Sequence, residues 1–314
     1  MALVEPESPS SVFADWKRER YASDQKSAPP VLWHYTSASG LIGILQTNRL
    51  YASRSTFLND SLEISHGLGV LRSTLFNLGS TGYKPVTKRF IRGISKPGII
   101  ERHFAGTELT AYVACFCGEK DLLSQWRGYQ GQGAMGGYAL EFTPPGAFAS
   151  WAFSAPDRQH LELQRIVYKE PDQYSLALDL VRPLIDYLDC EPESNNRQKT
   201  FGAVFTEAAF DFACRCKHPS FAAESEWRII HSPRPSQRAL RVKHRESRGL
   251  LVPYVELDLP AGVGGRSELM PITTIMCGPN AEMALKLEGA CSLTHQSQFA
   301  DTIRVIPSKV PLRS

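Results

Sequence analysis

An α+β fold is predicted for this 314-residue chain from three observations. Short apolar runs suited to strands are interleaved with longer stretches of helical periodicity, and two of the helical stretches follow one another directly, between residues 171 and 216. Neither a GxGxxG fingerprint after a strand nor a P-loop with its lysine is present, which removes Rossmann and P-loop chemistry. The 42% hydrophobic and 21% charged content is that of a globular protein with a sizeable core.

Residues 1–30 read as an N-terminal arm. Ser10 or Ser11 caps a short amphipathic helix with Phe13, Trp16 and Arg20 along one side, and Pro29 and Pro30 mark the boundary before a single domain of residues 31–314. That domain opens with Val31 to Ser53, a strand, turn, helix and strand. Leu41, Ile44 and Leu45 lie at i, i+3, i+4 spacing, and Asn48 with Arg49 closes the helix before Leu50, Tyr51 and Ala52 resume an extended pattern. A helix beginning near Asp60 and Glu63, with Leu62, Leu68, Leu71 and Leu75 as its apolar positions, comes next. Gly79 to Gly106 reads as a basic, loop-like stretch. Leu109 to Cys117 is a buried strand, Trp126 and Tyr129 lie in a short helix or turn, and Tyr138 to Phe142 is a further strand. Leu161 to Tyr168 is extended, Pro171 to Tyr187 and Thr200 to Cys216 are helices, and a strand opens at Glu224. The remainder, from Gly249, alternates strands with one helix from Asn280 and reads as scaffold.

No run approaches the eighteen or so uninterrupted apolar residues of a membrane span, and the N-terminus has acids where a signal peptide would have an apolar segment. A soluble, cytoplasmic protein with no membrane partner is expected. The formal charge of +3 is too slight to imply a polyanionic partner, so any steering must come from local patches. Seven cysteines, an odd number, read as thiols in a reducing compartment. The Cys115/Cys117 and Cys214/Cys216 pairs are too closely spaced for a usual structural zinc site, and on a strand that spacing simply turns both thiols to one face.

Two local patterns bear on chemistry. His34 and Thr36 end an apolar strand, where they can meet a ligand; the plainer alternative makes His34 a satisfied half-buried histidine and Thr36 and Ser37 helix caps. Glu224 and Glu226 at the head of a strand would share a face by its two-residue period, unless Arg228 or Lys217 neutralises them as an ordinary ion-paired edge. Two basic stretches, Lys84 to Arg102 and Arg234 to Arg248, read either as solvated faces or as phosphate contacts.

The ordered blocks WHYTSASGLIGIL, LYASRSTFLNDSLE, CFCGEKDLLSQWRGY with GGYALEF, ESEWRI, PITTIMCGPN and IPSKVPLR resemble the bacterial domain-of-unknown-function family numbered 2971, over roughly Val31 to Arg313. The His-x-Thr strand with its helix and second strand is more distantly similar to the ADP-ribosyltransferase-like superfamily. That resemblance implies a core of split antiparallel or mixed sheets with helices, which cleaves NAD as its substrate without metal and transfers ADP-ribose to an unknown protein or nucleic acid acceptor. Carried onto this chain, His34 and Thr36 bind NAD, one of Tyr51, Trp126 and Tyr129 stacks on nicotinamide, Glu226 is the catalytic acid and Glu224 orients or deprotonates the acceptor. A carboxylate beside the ribose would stabilise the oxocarbenium-like charge that develops as nicotinamide leaves. Two alternatives stand beside it. One is a non-catalytic nucleotide- or protein-binding module of a bacterial defence or stress system; the other is a metal-dependent hydrolase or nuclease using Asp60, Glu63 and His66, the last two at the i, i+3 spacing of carboxylate-bridged sites.

Overall fold

A computed structural model of the chain describes residues 8–57, 63–79, 82–96, 98–99, 110–128, 137–143, 152–154, 160–190, 195–232, 242–247, 249–258 and 269–311. The architecture is α+β, with one open mixed sheet. Its residues fall into two compact units, the first of Met1–Lys26, Asp60–Leu109 and Ile166–Ala222, the second of Ser27–Asn59, Thr110–Arg165 and Ala223–Ser314.

The first unit is helical. The expected N-terminal helix is α1, Pro9–Ser27, longer than the sequence pattern suggested and with Phe13 and Trp16 buried. Arg215 explains why it is held. This buried guanidinium donates to Asp24 of α1 at 3.0 Å and lies 5.4 Å from the Trp16 ring and 5.1 Å from the Tyr21 ring, so charge and cation–π contact act together. α3, Glu63–Leu78, buries Leu68, Leu71 and Leu75 as its periodicity requires. It packs against α7, Asn195–Arg215, with the backbones so close that a Cβ on Gly67 would lie 2.6 Å from Ala213 Cα. Only glycine permits that approach. α6, Glu170–Cys190, buries Leu176, Leu180, Leu184 and Leu188 in the same core.

The basic stretch after Gly79, expected as a loop, contains a helix, α4, Pro85–Ile94. Thr87, Phe90, Ile91 and Ile94 recur at three- and four-residue spacing between the cations, which is the pattern of a half-buried helix, and Pro85 suits its first turn. Phe90 meets Phe201 and Phe205 edge-on, at ring-centre distances of 5.1 and 5.2 Å.

The second unit carries the sheet. β1 is Leu32–Thr36, β2 Leu50–Arg54, β3 Tyr112–Cys117, β4 Tyr138–Phe142, β5 Ala152–Ser154, β6 His160–Arg165, β7 Glu226–His231, β8 Lys243–Ser247, β9 Leu250–Leu257, β10 Ile272–Cys277 and β11 Arg304–Pro307. The pairs are antiparallel apart from β10 with β11. The sheet forks at β3. β7 pairs along one edge of β3 from Tyr112 to Cys117. β1 and β2 must therefore share its other edge, β1 at Cys117 and β2 at Tyr112 and Val113. One arm continues through β4, β10 and β11, the other through β9 and β8. β8 ends its arm with the charged sequence KHRES, a composition that discourages edge-to-edge pairing.

α2, Ala38–Thr47, lays Leu41, Ile44 and Leu45 onto the sheet core formed by Leu32, Leu140, Phe142, Phe116 and Ile229 among others. Ser37 caps it by accepting the Gly40 N–H, and Asn48 ends it in the left-handed region at φ 53°. Both ends match the sequence reading. Among the described residues no helix is long and apolar enough to cross a membrane.

Candidate functional site

Directly opposed residues of an antiparallel pair project to one face of a sheet, and successive residues alternate. Trp33 opposes Cys117, and Cys117 opposes Glu226. The Trp33, Cys117 and Glu226 side chains therefore share one face, and His34, one residue on from Trp33, takes the other. The core agrees. Trp33, Tyr35 and Cys117 pack together with Trp126, whereas Leu32, Phe116 and Trp227 belong to the cluster on the opposite face.

His34 is 8% exposed, with Phe116 and Phe142 at ring-centre distances of 5.6 and 6.4 Å. Its Nδ1 lies 2.8 Å from the Cys115 carbonyl, which can only accept, so Nδ1 carries the proton. Cys115 lies in the fork, between the residues of β3 that β1 and β2 engage. The imidazole thus supplies a hydrogen bond on that stretch of edge. Burial lowers its pKa to about 4; the Cys115 carbonyl opposes the shift, and Arg245 adds to it. His34 is neutral at pH 7. Thr36, also buried, ends the same strand, and a Cβ on Gly40 would meet its Oγ1 at 2.1 Å. A larger residue at position 40 would collide with it.

Glu226 is 5% exposed and forms a fork-to-fork pair with Arg228, itself 2% exposed. Arg228 Nε donates to Oε1 at 2.7 Å and Nη2 to Oε2 at 2.8 Å. Of the two cations weighed from sequence, Arg228 takes this carboxylate. Lys217 instead meets Glu63 at 2.9 Å. Glu224 does not share the strand with Glu226. It closes a 3-10 turn, Pro219–Glu224, and Ser225 follows with φ 43°, so the strand begins only at Glu226 and the two-residue alternation does not apply. That turn is fixed by main-chain contacts: the Ser225 carbonyl accepts the Gly118 N–H at 2.9 Å, and the Glu224 carbonyl accepts the Cys117 thiol at 3.0 Å. Burial pushes the Cys117 thiol up to about 12, keeping it a donor.

Of the aromatic residues singled out, Trp126 is 1% exposed in α5, Leu123–Gly128, with its Nε1–H donated to Asp121 at 2.8 Å and its ring against Tyr35 at 4.8 Å. It is a core residue. Asp121, which no sequence pattern marked, also accepts from the Lys309 N–H at 2.7 Å and from the Ser308 hydroxyl, and so ties the C-terminal segment to this cluster. Tyr51 is half-buried between Gly43 of α2 and Tyr254 of β9, the two tyrosine rings 4.6 Å apart. Beside it Glu256 accepts from Arg49 and Lys243, each at 2.8 Å, and Arg245 donates to Ser53 at 2.9 Å. Tyr129 and Asp60 lie outside the described residues.

His66 Nε2 is hydrogen-bonded to Gln173 Oε1 at 3.1 Å, and Gln173 donates to the Val167 and Lys217 carbonyls at 2.7 and 2.8 Å. Glu63 and His66 are thus joined to a buried network in the first unit. Among the described residues no group of three or more His, Cys, Asp or Glu is placed to hold a metal ion.

Residues 125–229 match the sequence model of a family described as a protein of unknown function, DUF2971. The match is narrower than the span suggested by the ordered motifs; it runs from α5 to β7, taking in Trp126, Glu224, Glu226 and Arg228 and leaving out His34, Thr36 and Tyr51. Neither a curated protein nor a solved structure matches the chain.

Proposed function

We propose that this protein is a non-catalytic binding module, not an NAD-cleaving transferase. The observation that carries this reading is the opposition of His34 and Glu226 across the sheet. NAD cleavage of the kind implied by the His-x-Thr strand needs the histidine and the carboxylate within reach of one dinucleotide. Here the imidazole faces the cluster of Leu32, Phe116 and Trp227 and the carboxylate faces away from it, each with an internal partner.

A transition-state carboxylate must be available to charge developing on the ribose. Both oxygens of Glu226 are taken by Arg228 in a bidentate pair, the geometry of a structural clamp. The two aromatic positions among the described residues give the same picture. Trp126 is enclosed, and Tyr51 lies against Gly43 and Tyr254.

The test is nicotinamide release from NAD by purified protein, in chelator, with mixed protein and nucleic acid acceptors, and with NAD binding followed by calorimetry. The expected outcome is release no faster than in buffer and no measurable heat of NAD binding. Release that Glu226→Gln and His34→Ala each abolish, in variants shown to be folded, would sink the proposal and restore the transferase.

A further inference from the structure

We infer that the outer face of α4 is a binding site for the phosphate backbone of duplex nucleic acid. At 100° per residue, Pro85, Lys88, Arg89, Arg92 and Gly93 fall on the side of the helix opposite Thr87, Phe90, Ile91 and Ile94, and Lys96 joins them just past its C-terminal end. These six residues line an open depression of about 450 Å³. At Gly93 a Cβ would meet nothing within 4 Å, so the helix surface there is open.

Three cations thus stand along roughly 6 Å of helix axis, from Lys88 to Arg92, at 1.5 Å per residue, and Lys96 follows just past the C-cap Ser95. Arg89, Arg92 and Lys96 are exposed. Ion pairs among the described residues engage other cations and none of these four. Among the described residues, acids meet this segment at the start of the helix, where Asp189 accepts the Lys84 N–H at 2.6 Å and Asp186 the Tyr83 hydroxyl at 3.4 Å. A formal charge of only +3 over the whole chain makes this concentration local.

The occupant follows from what the helix has left to offer. A basic amphipathic helix that lies in a membrane surface inserts its apolar face. Here that face is committed, with Ile91 buried and Phe90 against Phe201 and Phe205. A single-strand binder adds aromatic rings on which bases stack. The stripe carries none. Cations alone, in a row, match the sequence-independent phosphates of a duplex. As a statement of what the protein does, this rests on the reading of it as a binding module; as a statement about α4, it is measured separately.

The experiment is fluorescence anisotropy of a labelled 20-base-pair DNA duplex titrated with the full chain between 50 and 200 mM salt. With three or four phosphates neutralised, affinity is expected to fall about 40- to 150-fold over that range. Arg89→Glu/Arg92→Glu is expected to lose at least about tenfold at 50 mM and to flatten the logarithmic salt slope by about 2, whereas Arg89→Lys/Arg92→Lys keeps most of the affinity. Thermal unfolding of both variants should match the wild type, because the substituted side chains are exposed. No duplex binding at 50 mM, or equal binding by the glutamate variant, overturns the inference. So does adsorption to phosphatidylserine vesicles through these arginines without duplex binding, which would make the face a membrane contact. Nicotinamide release by a protein that still binds duplex through α4 would remove the non-catalytic reading and leave this site standing; absence of both would remove the site alone.

Discussion

Glu226→Gln lowers the unfolding free energy by about 3–5 kcal/mol in urea titrations at pH 7. The reason lies in Arg228. Its guanidinium is 2% exposed and donates through Nε and Nη2 to the two oxygens of Glu226. A neutral amide leaves that charge desolvated and offers one acceptor oxygen where there were two, so the cost is that of a broken buried pair and not of a single hydrogen bond. Replacing both partners with apolar side chains, as Glu226→Leu/Arg228→Met, removes the buried charge together with its acceptor and is expected to recover most of the loss, because a buried pair and a well-packed apolar substitute are often of similar stability. A Glu226→Gln variant within about 0.5 kcal/mol of the wild type would mean that the clamp is not formed in solution. The carboxylate would then be open to a substrate.

Acidification from pH 7 to pH 4.5 costs the wild type about 2 kcal/mol more stability than it costs His34→Asn. The folded-state pKa of His34 is lowered to about 4, against an ordinary value of 6.5, chiefly by burial. Between those two values the unfolded chain binds a proton that the folded chain refuses, so stability is fully present above about pH 6.5 and is lost as pH falls toward 4. Asparagine can still donate to the Cys115 carbonyl without titrating, and the difference between the two proteins isolates the histidine from other groups that lose stability in acid, Glu256 among them. Urea midpoints for both proteins at the two pH values check this. Parallel acid losses would place His34 in contact with water, as a ligand-binding histidine would be.

How far the chain could be read from its sequence depends on whether the signal was local. The α2 helix was legible to its ends, because Ser37 and Asn48 act on backbone groups within four residues of themselves. The short apolar runs of β1, β3 and β4 and the leucine spacing of α3 and α6 were legible for the same reason. α4 was hidden by its own charges; its apolar positions occur at helical spacing, but basic residues between them made the stretch resemble a solvated loop. Glu-x-Glu misled through Ser225, whose left-handed backbone breaks the strand at a residue that carries no glycine-like signature. The largest gap was topological. That β1 and β2 share one edge of β3, that Trp33 rather than His34 falls in line with Glu226, and that Glu63 pairs with Lys217 across a separation of more than 150 residues are facts of register and packing to which local periodicity is blind.

The separation of His34 from Glu226 is tested most directly by a double-mutant cycle on unfolding free energy with His34→Asn, Glu226→Gln and their combination. Side chains that project from opposite faces of a sheet lose stability independently, and the expected coupling is within about 0.5 kcal/mol of zero. Coupling above about 1 kcal/mol would show that the imidazole and the carboxylate act as one site, contradict the register-based assignment of faces, and return NAD cleavage to the centre of the protein's chemistry.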